Sequence, residues 1–182
     1  MPRIILGIDP GSTIMGYGVI EMNENSIHLI DMGVLNLSKV SDGFEKLKKI
    51  FDFTVDIIKK YKPTELSIES QFFGKNVQSM LKLGRAQGVA ISAALSMDLA
   101  IYEYAPRKIK MSITGLGTAS KEQMALSLQR LFKFGEIPEK LDATDGLAAA
   151  VCHSYQRKPS VEGKTFSGWA AYANANKAKV RK

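Results

Sequence analysis

Residues 3–9, Arg-Ile-Ile-Leu-Gly-Ile-Asp, form a short apolar, β-branched run that ends on an acid and is closed by Pro10 and Gly11. Such a run reads as a buried strand, not as a signal peptide. A residue before proline is pushed towards extended geometry, so Asp9 belongs at the strand's last position. A buried strand cannot stand alone. It needs sheet neighbours beside it and other elements to cover it.

The chain supplies both. Residues 14–22, with Gly16 and Gly18 among β-formers, read as a second strand and 27–37 as a third; the short links predict an antiparallel meander. Phe44, Leu47, Ile50, Phe51, Val55 and Ile58 recur at helical spacing with lysines between them, an amphipathic helix stopped before Pro63. Residues 65–70 read as a fourth strand, with Leu66 and Ile68 on one face and Glu65, Ser67 and Glu69 on the other. A long helix over about 76–97 is rich in small residues, among them Gly84, Ala86, Gly88 and Ala90. These suit tight packing on the chain's own sheet or a subunit interface. Residues 99–105 read as a fifth strand, and Lys121–Phe134 and Asp142–Tyr155 as helices. The expected class is α/β: a mixed five-stranded sheet with helices on both faces.

Composition bounds the rest. With 182 residues, 45% hydrophobic and 24% charged, the chain has room for one ordinary domain. The lone Cys152 can make neither an internal disulfide nor a zinc cluster, which fits a reducing, cytoplasmic setting. No apolar run approaches the ~20 residues of a membrane span. The net charge is +7, and residues 157–182 hold seven Lys/Arg against the single acid Glu162. This divides the chain into a body, 1–156, and a basic tail, 157–182, expected to be largely unfolded or loosely docked. Trp169 and Tyr172 are the exceptions, placed to anchor a short C-terminal helix. Charge alone suits a solubilising end as well as a nucleic-acid contact.

The acids Asp9, Glu69, Asp142 and Asp145 do not fit a core. Asp9 and Glu69 end strands that become neighbours if the helix 43–61 returns beside strand one. Asp142 and Asp145 lie three apart in an otherwise packed helix, hence on one face. Taken singly, each reads as a helix cap or a surface charge. Taken together, they would repel one another and raise their pKa values. No lysine or arginine is adjacent to Asp9 in the chain or lies between Asp142 and Asp145, so bound cations would relieve the repulsion. Oxygen ligands without His or Cys select Mg²⁺ or Mn²⁺ over zinc. Two such ions about 4 Å apart are the usual apparatus for cleaving phosphodiesters. The basic residues Arg107, Lys108, Lys110 and Lys121, and the loop Gly115-Leu-Gly-Thr-Ala-Ser-Lys121, suit phosphate oxygens. An ordinary turn with a Ser120 helix cap would look the same.

The ordered motifs Ile-Leu-Gly-Ile-Asp9-Pro-Gly-Ser-Thr, Gly16-Tyr-Gly-Val, Ile68-Glu69 with Phe72, Leu81-Lys-Leu-Gly-Arg-Ala-Gln-Gly88, Tyr104-Ala-Pro-Arg-Lys-Ile-Lys110, Gly115–Lys121 and Asp142-Ala-Thr-Asp145-Gly-Leu-Ala-Ala-Ala resemble the RuvC Holliday junction resolvases. The resemblance runs from about residue 3 to 156. It implies an RNase H-like fold and a homodimer that binds four-way junction DNA. Each subunit would nick one of two opposed strands in recombination and repair, leaving 5′-phosphate and 3′-hydroxyl ends. The family's acidic tetrad maps onto Asp9, Glu69, Asp142 and Asp145. They would hold two Mg²⁺ per subunit, with Mn²⁺ substituting and Asp9 bridging both. Some relatives carry His at the place of Asp142; Asp keeps the site all-oxygen. Phe72 maps onto an aromatic that stacks on an unpaired base. Lys110 and Lys121 map onto DNA-binding lysines, with Arg107 beside them. A RuvA–RuvB branch-migration complex is implied as a partner.

Two rival readings share features of this one. Asp-x-Gly-Ser/Thr in a β-turn-β also opens actin-like phosphotransferases, but those need a second similar domain. A non-catalytic junction-binding module on the same fold would be signalled by missing acids, and all four are present. His28 and His153 read as structural, and Cys152 as a small core residue.

Overall fold

The computed structural model describes residues 3–24, 26–71 and 76–156. The elements run β1 (Arg3–Asp9), β2 (Ile14–Met22), β3 (Ile27–Asn36), α1 (Gly43–Tyr61), β4 (Glu65–Glu69), α2 (Val77–Leu95), β5 (Ala100–Tyr104), α3 (Pro106–Thr114), α4 (Lys121–Phe132) and α5 (Asp142–Ser154). They build one five-stranded sheet in the order β3-β2-β1-β4-β5. The first three strands form the expected antiparallel meander, while β1–β4 and β4–β5 pair in parallel. The crossover helix does return β4 beside β1, so Asp9 and Glu69 each lie one step beyond the Ile8–Ile68 pair.

Alternation along β1 sends its side chains into two cores. Leu6 and Ile8 join Met15, Val19, Leu66 and Ile68 beneath α1 and α2. Ile5 joins Ile20, Leu128, Leu147 and Val151 beneath α3, α4 and α5. Both faces of the sheet are therefore covered. The Ala86, Ala90, Ala93 and Ala94 side of α2 packs inward, whereas nothing lies within 4 Å of a Cβ built on Gly84 or Gly88. The alanines thus pack on the molecule's own core, and Gly84 and Gly88 lie on a face that no described residue covers.

Two sequence expectations change, and one polar face turns out to be buried. Residues 106–114, read as a basic stretch, form α3, with Pro106 at its first turn and Gly115 as a left-handed cap (φ 76°). Phe44, read into the core face of α1, is 80% exposed. Glu65 and Ser67, on the polar face of β4, are buried, as are Leu66 and Ile68 opposite them. Ser67 Oγ donates to the Ala149 carbonyl at 2.6 Å, tying β4 to α5. Glu65 Oε2 accepts from Arg3 Nε at 2.7 Å and lies 2.9 Å from His153 Nε2. Tyr104 Oη lies 2.6 Å from His153 Nδ1. His153 Nε2 also lies 2.9 Å from Arg3 Nη2, a group that can only donate, so the carboxylate and the guanidinium compete for the same ring nitrogen. Cys152 is fully buried, as expected. No helix among the described residues is long and apolar enough to cross a membrane. The segment 157–182, with Trp169 and Tyr172, lies outside the described residues.

Candidate active site

The acids converge because α5 lies almost on the backbone of β1 and β2. Gly7, Gly16 and Gly18 face it from the sheet, and Gly146 faces them from the helix. A Cβ on Gly7 would stand 2.2 Å from the Gly146 carbonyl oxygen. One on Gly16 would stand 1.7 Å from the Asp142 carbonyl oxygen, and one on Gly146 2.5 Å from Tyr17 Cα. These glycines are required by close approach, since real Cβ atoms would drive the helix off the sheet. Gly16 is also the register partner of Asp9. The first turn of α5 is thereby held over the end of β1, with Asp142 half-buried and Asp145 buried beside it.

Carboxylate oxygens of Asp9, Asp142 and Asp145 all lie within 4.8 Å of one another. Glu69 flanks this triangle from the end of β4, and Gln87 Nε2 of α2 donates to its backbone carbonyl at 3.4 Å. The site is electrostatically strained. Burial and then the charges of Glu69 and Asp145 hold Asp9 well above the usual carboxylate range, with Lys121 acting against them. Glu69 is pushed up to about 7, by burial first and then by Asp145, against Lys121 and Lys110. Burial also raises Asp145 although Lys121 pulls it down.

Lys121 is the one large departure from the expected layout. Its ammonium pairs closely with Asp145 and lies 3.6 Å from Asp142. Ser120 explains the placement: Ser120 and Gln123 form a capping box that starts α4, so Lys121 occupies its first position. A cation distant in sequence therefore reaches acids that have none beside them in the chain. Lys110 on α3 is close enough to favour the ionised forms of Glu69 and Asp145. Arg107 is exposed and lies across Gly117, where a built Cβ would meet its Cγ at 2.7 Å. The sequence reading missed Gln87, for which a lone polar residue on a small-residue helix gave no signal. Phe72 lies outside the described residues.

One lysine does not satisfy the cluster. Asp145 Oδ1 is buried and has no hydrogen-bond partner among the described residues. An orphaned carboxylate oxygen beside two others, all with hard oxygen donors, fits a divalent cation of the magnesium type. Protonation or a bound cation are the two ways to relieve such a cluster.

Comparison with known proteins agrees with this chemistry. Residues 5–153 match the family profile described as crossover junction endodeoxyribonuclease RuvC. The protein of that name from Christiangramia forsetii is 56% identical over 179 residues, covering 98% of this chain and 93% of the relative. That from Bacteroides fragilis is 54% identical over 181 residues, covering 98% and 96%. Among solved structures, Thermus thermophilus RuvC in complex with Holliday junction substrate superposes with a TM-score of 0.78 at 28% identity, covering 84% of this chain and 93% of that one. The sheet is thus the RNase H-like one of the resolvases. With a profile spanning 149 of its positions from 5 to 153 and relatives above half identity over nearly its whole length, this chain belongs to the RuvC family of crossover junction endodeoxyribonucleases.

Proposed function

We propose that this protein is a structure-selective endodeoxyribonuclease that resolves four-way DNA junctions in recombination and repair. The observation that carries the reading is the meeting of Asp9, Asp142 and Asp145, with one oxygen orphaned in the middle of the cluster. Asp9, Asp142 and Asp145, with Glu69 beside them, would hold two Mg²⁺ ions; when bound, such ions activate a water and stabilise the leaving 3′-oxygen. Mn²⁺ has the same donor preference and would substitute.

The chain's own residues have separate tasks. The glycine-mediated seat of α5 fixes the carboxylates before substrate arrives, so little reorganisation accompanies reaction. Lys110 and Lys121 present cations beside the acids, and with Arg107 on the same helix as Lys110 they suit the phosphates flanking the cut. Phe72, following Glu69 by three residues, suits stacking on an unpaired base at the branch point. A basic segment at 157–182 adds a sequence-independent attraction for DNA. The protein acts as a homodimer, so that two nicks fall on opposed strands. The open stripe of α2 supports this: Val77, Leu81 and Leu95 are exposed beside the bare Gly84 and Gly88, at spacings of one helical face. A RuvA–RuvB branch-migration complex is the expected partner by family membership.

The test uses a synthetic four-way junction and a linear duplex, each with Mg²⁺ and with EDTA. Paired nicks of the junction alone, only with Mg²⁺, are expected. Asp9→Asn should lower nicking by at least about a thousandfold while junction affinity changes less than threefold, because a metal ligand is lost and the basic surface is not. Normal nicking by Asp9→Asn would refute the assignment.

A further inference from the structure

A groove of about 390 Å³ opens at the same end of the sheet as the acids, but on its other face. The β1–β2 turn separates the two. Asp9 precedes that turn and faces α5, whereas Ser12 and Thr13 at its far side line the groove. The turn is fixed by the Leu37 N–H donating to the Thr13 carbonyl at 2.8 Å. The start of α1 and one edge of α2 supply the remaining walls.

The lining is chemically lopsided. Lys46 of α1 and Lys82 and Arg85 of α2 converge on the groove. None of the three forms an ion pair or a side-chain hydrogen bond among the described residues. The one acid in the lining, Asp42, is already engaged: its side chain caps α1 by accepting from the Glu45 N–H at 2.7 Å. At the mouth stands Phe44, 80% exposed. An amphipathic helix has no reason of stability to place a phenylalanine there, because an exposed aromatic forfeits its burial energy. Unpaired cations along a groove with a bare aromatic at its edge are the makings of a single-strand platform: phosphates on the cations, a base on the ring.

We infer that, given the junction-nuclease reading on which this rests, the groove between α1 and α2 holds the strand leading away from the scissile phosphate. Lys46, Lys82 and Arg85 bind its phosphodiester backbone, and Phe44 stacks on a base unpaired near the branch point. The strand crosses from the acids over Ser12 and Thr13, whose hydroxyls lie along the route. The site is separate from Lys110, Lys121 and Arg107, which serve the α5 face.

The experiment measures binding of a labelled four-way junction by fluorescence anisotropy, using the full chain carrying Asp9→Asn so that the substrate stays intact. Lys46→Glu with Lys82→Glu should weaken binding at least tenfold at about 100 mM salt and lower the slope of log affinity against log salt by about two. Phe44→Ala should weaken it about five- to a hundredfold, and Phe44→Trp should restore it. Unchanged affinity and salt slope in the charge-reversal variant, or equal binding by Phe44→Ala and Phe44→Trp, would overturn the groove assignment while leaving the nuclease reading intact. Failure of the unmutated protein to nick any four-way junction would overturn both.

Discussion

Lys121 joins two roles that are usually considered apart. Its ammonium rests on Asp142 and Asp145, the same carboxylates that suit a divalent ion. A cation already present opposes the arrival of another, so a divalent ion held by Asp142 and Asp145 would compete with the Lys121 ammonium for their oxygens. Lys121→Met should therefore tighten Mn²⁺ binding several-fold, read by calorimetry or by the electron paramagnetic resonance of free Mn²⁺, and at the same time slow nicking at least tenfold. Weaker Mn²⁺ binding in that variant would contradict the competition. A different pH dependence comes from the buried Arg3–Glu65–His153–Tyr104 group. Burial first, and then Arg3, depress His153 below its ordinary value of 6.5 despite Glu65. Glu65, although burial works to raise it, is held below 4.5 by Arg3 and His153. Both groups bind protons more readily unfolded, so their stabilisation is present at neutral pH and lost on acidification, for His153 below about 6.5 and for Glu65 below about 4.5. Metal-free Glu69 has the opposite sign, losing stability as pH rises from 4.5 towards 7. A His153→Gln comparison separates them: thermal melts between pH 7 and 5 should fall less steeply in the variant than in the wild type.

At the scale of elements, α5 decides the site. Its placement depends on glycines that carry no chemistry themselves. Gly16→Ala puts a methyl against the Asp142 carbonyl, where no flexible side chain can yield. The first turn of α5 must shift, at a cost of about 1–3 kcal/mol of overpacking. Calorimetric melting should fall by several degrees, and nicking should fall much further than junction binding. A variant melting and nicking like the wild type would show that α5 is not seated by these contacts. The elements also show what could be read in advance. The strand ending in Asp9, the meander, the crossover α1 and the two acids three apart in α5 were legible because each rests on local periodicity or spacing. That α5 would ride on Gly7, Gly16 and Gly18 was not, because close approach is a property of two distant segments. Helix α3 had local signals, Pro106 at its start and Gly115 at its end. Its nine residues, mostly basic or polar, gave the hydrophobic period too little to show. The burial of Glu65 was not legible, because alternation marks polar positions, not partners, and its partners Arg3 and His153 lie 62 and 88 residues away.

The whole molecule presents three surfaces with different chemistry at one end of a single sheet: acids under α5, cations between α1 and α2, and an apolar stripe along α2. The stripe is the surface on which the proposed homodimer would form. Val77, Leu81 and Leu95 are 66, 55 and 56% exposed, a run of apolar area that a solitary subunit would leave in water. Gly84 and Gly88 between them leave room for another backbone. Paired incision then requires both nicks within the lifetime of one complex. Leu81→Asp places a charge in the stripe without touching the inward alanines, so each subunit should fold as before while the dimer dissociates. Light scattering should show half the wild-type mass at micromolar concentration. On a supercoiled plasmid carrying an extruded cruciform, the wild type should give mostly linear product, since opposed nicks open the circle. The variant should give nicked circles, each incision being followed by dissociation and relaxation of the cruciform. Linear product from a monomeric variant would mean that pairing of the cuts is set by the junction and not by the protein.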